Sequence, residues 1–431
     1  MRTLSAWALV FVVALGSTPT EVLTQEPART DSLEAQVRRL RMQLDSLQHV
    51  LEELIRQGQD TTSALTELAR IRAAAQTAAG KAELPDTTTL GSQTRDLSIL
   101  NPEISVNADV VGSYVVPDGA SSSFNAIPRE FEFSFQAAVD SYTRTKIFVT
   151  HEEELEIAGF VERAGEDGRT SVEIEEGYLY WVGLPAAIGL KVGKFRQEIG
   201  LYNRWHTHAL LEVDRPLASR AFLGDDGLIQ TGASASLPSF TVGPATQTII
   251  AEVALGNNEA LFDGGSHLSF LGRFQSFWEV GSAAFLQFGA TGLTGRNDDV
   301  NLKTRLAVID FMFRWTPPRQ ARYRDFQIKG AWYFSEREEA GTKLRGNGGY
   351  GQFSFKFAQQ WIVGTRVDYL TPYLDNDPNY LQMVPSLTWW QSENVRLRAQ
   401  YHYVKPKGMA ASHTVLLQIV WAIGPHRHEN Y

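Results

Sequence analysis

The chain has 431 residues with no cysteine, 10 Trp, 14 Tyr, 23 Phe and 35 Gly, and 49 acidic against 40 basic side chains. Zero cysteine excludes a disulfide scaffold, a cysteine-ligated zinc or iron–sulfur centre and a thiol nucleophile, and a net charge of -9 supplies no basic field for nucleic acid. The hydrophobic share of 43% is ordinary for a soluble protein, so the surplus of aromatics and glycine at a mean hydropathy of -0.21 is what needs explaining.

The N-terminus has the pattern of an export signal. Arg2 precedes the apolar run from Leu4 to Leu15, and small residues follow at Ala14 and Gly16, predicting a signal peptide over residues 1–16. A run of about a dozen is too short for a helical span, which needs about 20 residues. No later stretch supplies such a span either. Residues 17–30 form a short segment without periodicity, expected to be disordered.

From Leu33 the apolar residues fall at alternating spacings of four and three: Leu33, Val37, Leu40, Leu44, Leu47, Leu51 and Leu54, with the register resuming at Leu65 and Leu68. That seam predicts an α-helical coiled coil over 31–72 and hence self-association; the alternative is an amphipathic helix packed on its own domain. Residues 73–96 replace large apolar side chains with Ala, Thr, Gly and Pro, the composition of a flexible linker.

Over 97–431 the period becomes two. Phe131, Phe133 and Phe135 alternate with Glu130, Glu132 and Ser134; Leu397, Ala399, Tyr401 and Tyr403 alternate with Arg396, Arg398, Gln400 and His402; and Val415, Leu417, Ile419, Trp421 and Ile423 form the last run. About sixteen such segments can be counted, many of them 10 residues or longer, the length of a tilted strand that crosses a bilayer. A large soluble barrel would need a wide apolar interior. Turning the apolar face to lipid and the charged face to a water-filled lumen removes that difficulty, and closure satisfies every backbone donor and acceptor. The expected fold is therefore all-β: a closed antiparallel transmembrane β-barrel preceded by a coiled coil. Tyr178, Tyr180, Trp181, Trp315, Trp332, Tyr333, Trp389 and Trp390 are expected at the membrane interfaces.

Several short motifs carry a resemblance. Asn101-Pro102-Glu103-Ile104-Ser105-Val106, Glu175-Glu176-Gly177-Tyr178, Lys191-Val192-Gly193-Lys194-Phe195, Asp214-Arg215-Pro216 and the ending Ile423-Gly424-Pro425-His426 resemble the phosphate-selective porin O and P family and its coiled-coil-bearing relatives. The resemblance covers residues 97–431 and the heptad-bearing N-terminus. It implies a sixteen-stranded outer-membrane porin, usually a homotrimer, that passes small polar or anionic solutes such as phosphate or carboxylates by diffusion. The coiled coil would then lie in the periplasm, and the partners would be outer-membrane lipid, further copies of the chain and the solutes.

With the Phe faces on lipid, Lys329, Lys356, Arg366, Arg396, Arg398 and His402 are expected in the lumen. Residues 303–366 hold twelve Lys or Arg and five acids, whereas 97–230 hold eleven basic and twenty-one acidic residues. A basic tract of wall leads anions through by focusing the field. The acids at Glu152 to Glu154 and at Glu173, Glu175 and Glu176 read equally as loop or turn charge. The segment 196–227 is too long and too rich in Asn, Gly and Pro for one strand. It either folds into the lumen, where Arg204, His206, His208 and Arg215 would line a constriction, or forms an extracellular loop.

Chemistry-bearing motifs are sparse. His206-Thr207-His208 with Glu212 or Asp214 offers a zinc-hydrolase alternative, but no HExxH spacing supports it. The sequence assigns no catalytic residue, cofactor or metal. Gly346-Asn347-Gly348-Gly349 reads as a hairpin turn. The competing class is a non-conducting barrel that anchors a tethering coiled coil.

Overall fold

A computed structural model describes residues 102–116, 122–153, 171–262, 267–297, 302–339, 342–373 and 377–424. The expected signal peptide, coiled coil and linker lie outside the described residues.

The strands run in chain order as β1 (Glu103–Val116), β2 (Ser123–Ala138), β3 (Thr143–Glu152), β4 (Ser171–Trp181), β5 (Gly189–Arg196), β6 (Ile229–Ser236), β7 (Phe240–Val242), β8 (Ala245–Leu255), β9 (Leu268–Val280), β10 (Ala284–Arg296), β11 (Lys303–Trp315), β12 (Asp325–Glu339), β13 (Thr342–Lys356), β14 (Trp361–Thr371), β15 (Tyr380–Trp390), β16 (Val395–Pro406) and β17 (Ser412–Ile423). Each pairs antiparallel with its sequence neighbour, and β17 closes on β1 with Ile419 opposite Val110. Strands β6 and β7 both pair with β8 and make one interrupted stave, so the barrel has sixteen staves. Pro238, which has no N–H to donate, lies at the interruption, and Leu237 N–H still reaches the Ile249 carbonyl at 3.0 Å.

The alternation sorts the side chains as expected. Phe133, Phe274, Phe288, Ile309, Leu387 and Leu417 are exposed on the outer face, a continuous apolar surface that water would not tolerate. Outward Trp181, Trp278, Trp315, Trp361, Trp389 and Trp421 all sit in strand ends on the side of the barrel that carries the short turns 139–142, 281–283 and 391–394, the same end at which β1 begins. Trp361 and Trp389 stack there with ring centroids 6.2 Å apart, as in an interfacial girdle. Tyr178 and Tyr333, expected in that girdle, instead point inward and are buried, and Trp390 also faces inward, over Arg396.

Two irregularities aim charge inward. Between β3 and β4 the register shifts at Phe148 and Val149, so that Glu175 and Glu176 both turn into the barrel. Between β1 and β2 a second shift at Asp109 and Val111 does the same for Arg129 and Glu130. A bulge inserts one residue and breaks the alternation of faces. Glu173, Glu175 and Glu176 are therefore strand residues and not loop or turn charge.

The expected hairpin at 346–349 is corrected: these residues lie inside β13. Their missing side chains make room for rings. A Cβ on Gly346 would lie 2.7 Å from Phe222, and one on Gly349 would lie 2.5 Å from Trp332, whose ring covers it on the outer face.

The inner wall is also less uniform than an all-polar lining. Leu271, Leu293, Leu306, Val308, Ala331, Tyr333, Tyr350 and Leu370 point inward from β9–β14 and form a dry core with the connections that fold onto them.

Candidate functional site

The segment between β5 and β6, residues 197–228, enters the barrel. It contains a 3-10 turn at Thr207–Ala209 and the helix α1 (Leu217–Leu223). Helix α1 buries Leu217, Phe222 and Leu223 against the apolar tract of β12–β14, and Phe222 meets Tyr373 edge-on at 5.3 Å. The connection between β8 and β9 folds in as well: its short helix α2 (Glu259–Phe262) buries Leu261 and Phe262, and Asn258 Nδ2 donates to the Leu223 carbonyl at 2.8 Å.

Beyond α1 the segment docks through complementary charge on two adjoining tracts of wall. On the acidic tract, His206 Nδ1 lies 2.7 Å from Glu132 Oε2 and 2.9 Å from Glu175 Oε2, and its Nε2 lies 3.0 Å from Glu176 Oε1. His208 Nδ1 lies 2.8 Å from Glu130 Oε1, and the His208 backbone N–H donates to the same carboxylate at 2.8 Å. Arg196, which opens the segment, pairs with Glu175.

On the basic tract the signs reverse. Arg366 Nη2 donates to Asp214 Oδ2 at 2.9 Å, Nη1 donates to the Asp214 carbonyl at 2.8 Å, and Nε donates to Asp368 at 2.9 Å. Arg396 donates to the His208 carbonyl, and Arg398 Nη2 donates to the Leu210 carbonyl at 3.1 Å. His402 lies between Gln382 and Gln400. Ion pairs this deeply buried hold because every partner is present, since an unpaired buried charge is costly.

The structure thus brings all nine sequence-chosen residues to the barrel interior, but gives them different surroundings. Arg215 binds the segment to itself, with Nη1 to the Tyr202 carbonyl at 2.9 Å and Nη2 to the Trp205 carbonyl at 2.5 Å, while Arg204 pairs with Glu198 at 3.3 Å. Arg366, Arg396 and Arg398 are committed to segment and wall. Lys329 and Lys356 differ: they line a cavity of about 670 Å³ below the segment, with Arg314 as a third cation and Asp325 as the acid among them, and Tyr202, Trp205 and Trp390 as its aromatic lining. Lys329 Nζ stands 4.0 Å over the Tyr202 ring.

The carboxylates expected to complete a zinc site with the two histidines, Glu212 and Asp214, go elsewhere. Glu212 accepts from Tyr202 and Gln352, and Asp214 accepts from Arg366 and Gln400. Glu130, Glu132, Glu175 and Glu176 take their place. The one sequence signal for the last two is the broken alternation at Ile174-Glu175-Glu176-Gly177.

Burial shifts the titration of the segment's own groups. It would lower the pKa of His206, but Glu132 and Glu176 outweigh it and raise the value to about 9. Burial opposes ionisation of Asp214, yet Arg366 overcomes this and holds the carboxyl below the usual carboxylate range. The Tyr202 hydroxyl is pushed well above its ordinary value by burial and by the Glu212 carboxylate.

No family model matches the chain. A protein of Aquifex aeolicus (strain VF5) with no assigned function is 28% identical over 230 residues, 46% of this chain and 47% of that protein, so the chain spans about half the length of the curated relative it matches. Three solved structures are similar in fold. The anion-selective porin from Comamonas acidovorans superposes with a TM-score of 0.53 at 11% identity, covering 75% of this chain and 99% of that one. OprB of Pseudomonas putida gives 0.54 at 9% identity over 77% and 96%. The outer membrane channel DcaP of Acinetobacter baumannii gives 0.51 at 8% identity over 76% and 98%. At such identities the likeness is one of fold: the chain has the barrel of the outer-membrane porins.

Proposed function

We propose that the chain is an outer-membrane porin, a passive channel for small polar solutes with a preference for anions. The observation that carries this reading is the inversion of faces. Sixteen staves present apolar side chains outward and charged ones inward, the arrangement a closed sheet needs to sit in lipid around an aqueous interior. The anion preference rests on Lys329 and Lys356 in the cavity below the inward segment, where Arg314 and Asp325 pair with each other at 2.9 Å. A cavity with an excess of one sign and low-dielectric walls concentrates counter-ions.

The resemblance to the phosphate-selective porin O and P family supports solutes of the size of phosphate or a carboxylate. Arg204, His206, His208 and Arg215 act in this reading by holding the segment that narrows the lumen, and Arg366, Arg396 and Arg398 by anchoring it to the wall. The heptads at 31–72 support self-association, and the family resemblance supports a homotrimer with its coiled coil in the periplasm. Strand β1 begins at the end with the short turns, which in outer-membrane barrels is the periplasmic one.

Reconstitution of the full chain into a planar bilayer tests the proposal. Discrete conductance steps are expected, with a reversal potential in a salt gradient that favours the anion. A folded barrel that leaves the bilayer silent overturns the channel reading and favours the anchor. A cation-favouring potential overturns the selectivity alone.

A further inference from the structure

The docking of His206 on the acidic tract gathers two carboxylate oxygens on one ring nitrogen. Nδ1 carries at most one proton, yet two carboxylate oxygens, Glu132 Oε2 and Glu175 Oε2, lie 2.7 and 2.9 Å from it. A single proton there has to be shared between two acceptors, whereas a cation in its place would take all three atoms as ligands.

The surroundings arrange these three atoms as metal ligands are arranged. The other oxygen of Glu132 accepts from Asn107 Nδ2 at 3.0 Å, and the other oxygen of Glu175 accepts from Arg196. Each carboxylate is thereby oriented from behind, leaving its Oε2 to face the imidazole. The remaining ring nitrogen, Nε2, lies 3.0 Å from Glu176 Oε1. A carboxylate on one imidazole nitrogen fixes the tautomer and leaves the lone pair of the other for a cation, the outer-shell arrangement found around ligating histidines. The ligand atoms of Glu132, Glu175 and His206 all lie within 4.8 Å of one another and all three residues are buried. The strand bulge that turns both Glu175 and Glu176 inward supplies a ligand and its outer-shell partner together.

We propose that the chain binds one divalent transition-metal cation of the Zn²⁺ class through His206 Nδ1, Glu132 Oε2 and Glu175 Oε2. One imidazole and two carboxylates suit a borderline cation of this kind better than Ca²⁺ or Mg²⁺, which favour all-oxygen shells. Three protein ligands leave a fourth position for water. The cation joins β2 and β4 to the inward segment, so it ties that segment to the wall at a point independent of the Arg366 contact. Metal binding and conduction are separate properties, and either can fail alone.

The test uses the full chain folded in detergent, stripped with a chelator and dialysed against Zn²⁺ at neutral pH. One equivalent of Zn²⁺ per chain is expected in direct elemental analysis. His206→Ala and the shape-preserving Glu175→Gln each lose binding, and Asn107→Ala weakens it by about 10–100-fold. His413→Ala, an outward histidine beside Tyr401, leaves binding unchanged. X-ray absorption at the zinc edge is expected to show one imidazole nitrogen with oxygen neighbours. Heat-modifiable migration of each variant on gels establishes that it is folded; if His206→Ala is not, Glu175→Gln decides. No stoichiometric zinc, zinc retained by folded Glu175→Gln, or a shell without imidazole overturns the proposal.

Discussion

Arg366 on β14 and Asp214 in the inward segment are 152 positions apart and share two contacts: Nη2 with the carboxylate at 2.9 Å and Nη1 with the backbone carbonyl at 2.8 Å. Arg366 is fully buried, with Asp368 on its Nε and Glu212 at 3.9 Å. Replacing it by Met leaves three carboxylates around a site without a cation. Removing one partner of a buried ion pair costs about 3–5 kcal/mol, so Arg366→Met is expected to lower the unfolding free energy extrapolated from denaturation curves by that much. Adding Asp214→Asn to it should restore part of the loss, because the two changes act on one interaction. Additive single and double variants would mean that the pair is not a coupled unit.

The same pair makes the segment acid-sensitive. Asp214 titrates below its ordinary value in the folded chain, so the stability it contributes is complete above the unfolded pKa of about 3.9 and is lost as pH falls through the folded value. Cleavage within 197–228 by an acid-active protease should therefore stay low at pH 5 and rise on acidification below about pH 4. Asp214→Asn should raise cleavage at pH 5 and flatten its dependence on pH. A segment equally protected in both forms at every pH would remove Asp214 from its anchorage.

Helix α1 approaches β13 where that strand has no side chains. A Cβ on Gly346 would lie 2.7 Å from Phe222 and 3.2 Å from the Thr371 carbonyl, whereas one on Gly351, farther along the strand, would meet nothing within 4 Å. Gly346→Val is therefore expected to destabilise by about 1–3 kcal/mol through overpacking, and Gly351→Val by no more than about 0.5 kcal/mol. Paired denaturation curves check this contrast, and equal midpoints would show that α1 yields without cost.

Those glycines also mark what the sequence could and could not reveal. The alternation of Phe131, Phe133 and Phe135 with Glu130, Glu132 and Ser134 is a local signal, and it predicts both faces of β2 correctly. Gly346 to Gly349 carry the local signal of a turn, but the cause of their presence is tertiary: Phe222 on one side of the strand and Trp332 on the other. The contact of His206 with Glu175 spans 31 positions and depends on a bulge in a different strand. Residue types in the segment show three arginines, two histidines and five acids. They do not indicate that its two histidines meet acids while its acids meet arginines, since that pairing follows from where the barrel places β2, β4, β14 and β16.

Lys329 and Lys356 differ from the arginines around them in where they face. Arg366, Arg396 and Arg398 are held by segment and wall groups, so neutralising any of them moves the segment and alters conduction indirectly. The two lysines line the cavity, and Lys329 rests on the Tyr202 ring, so Lys→Gln changes there remove charge from the solute path without releasing the segment. A unit charge at about 4 Å and an effective dielectric of about 20 is worth about 4 kcal/mol, far above thermal energy even after generous screening by salt. Lys329→Gln with Lys356→Gln is therefore expected to shift the reversal potential in a salt gradient towards cations while leaving denaturant midpoint and protease resistance near those of the parent. Single-channel recording measures the first and the solution assays the second. An unchanged reversal potential in a folded double variant would move the selectivity away from this cavity and back to the segment.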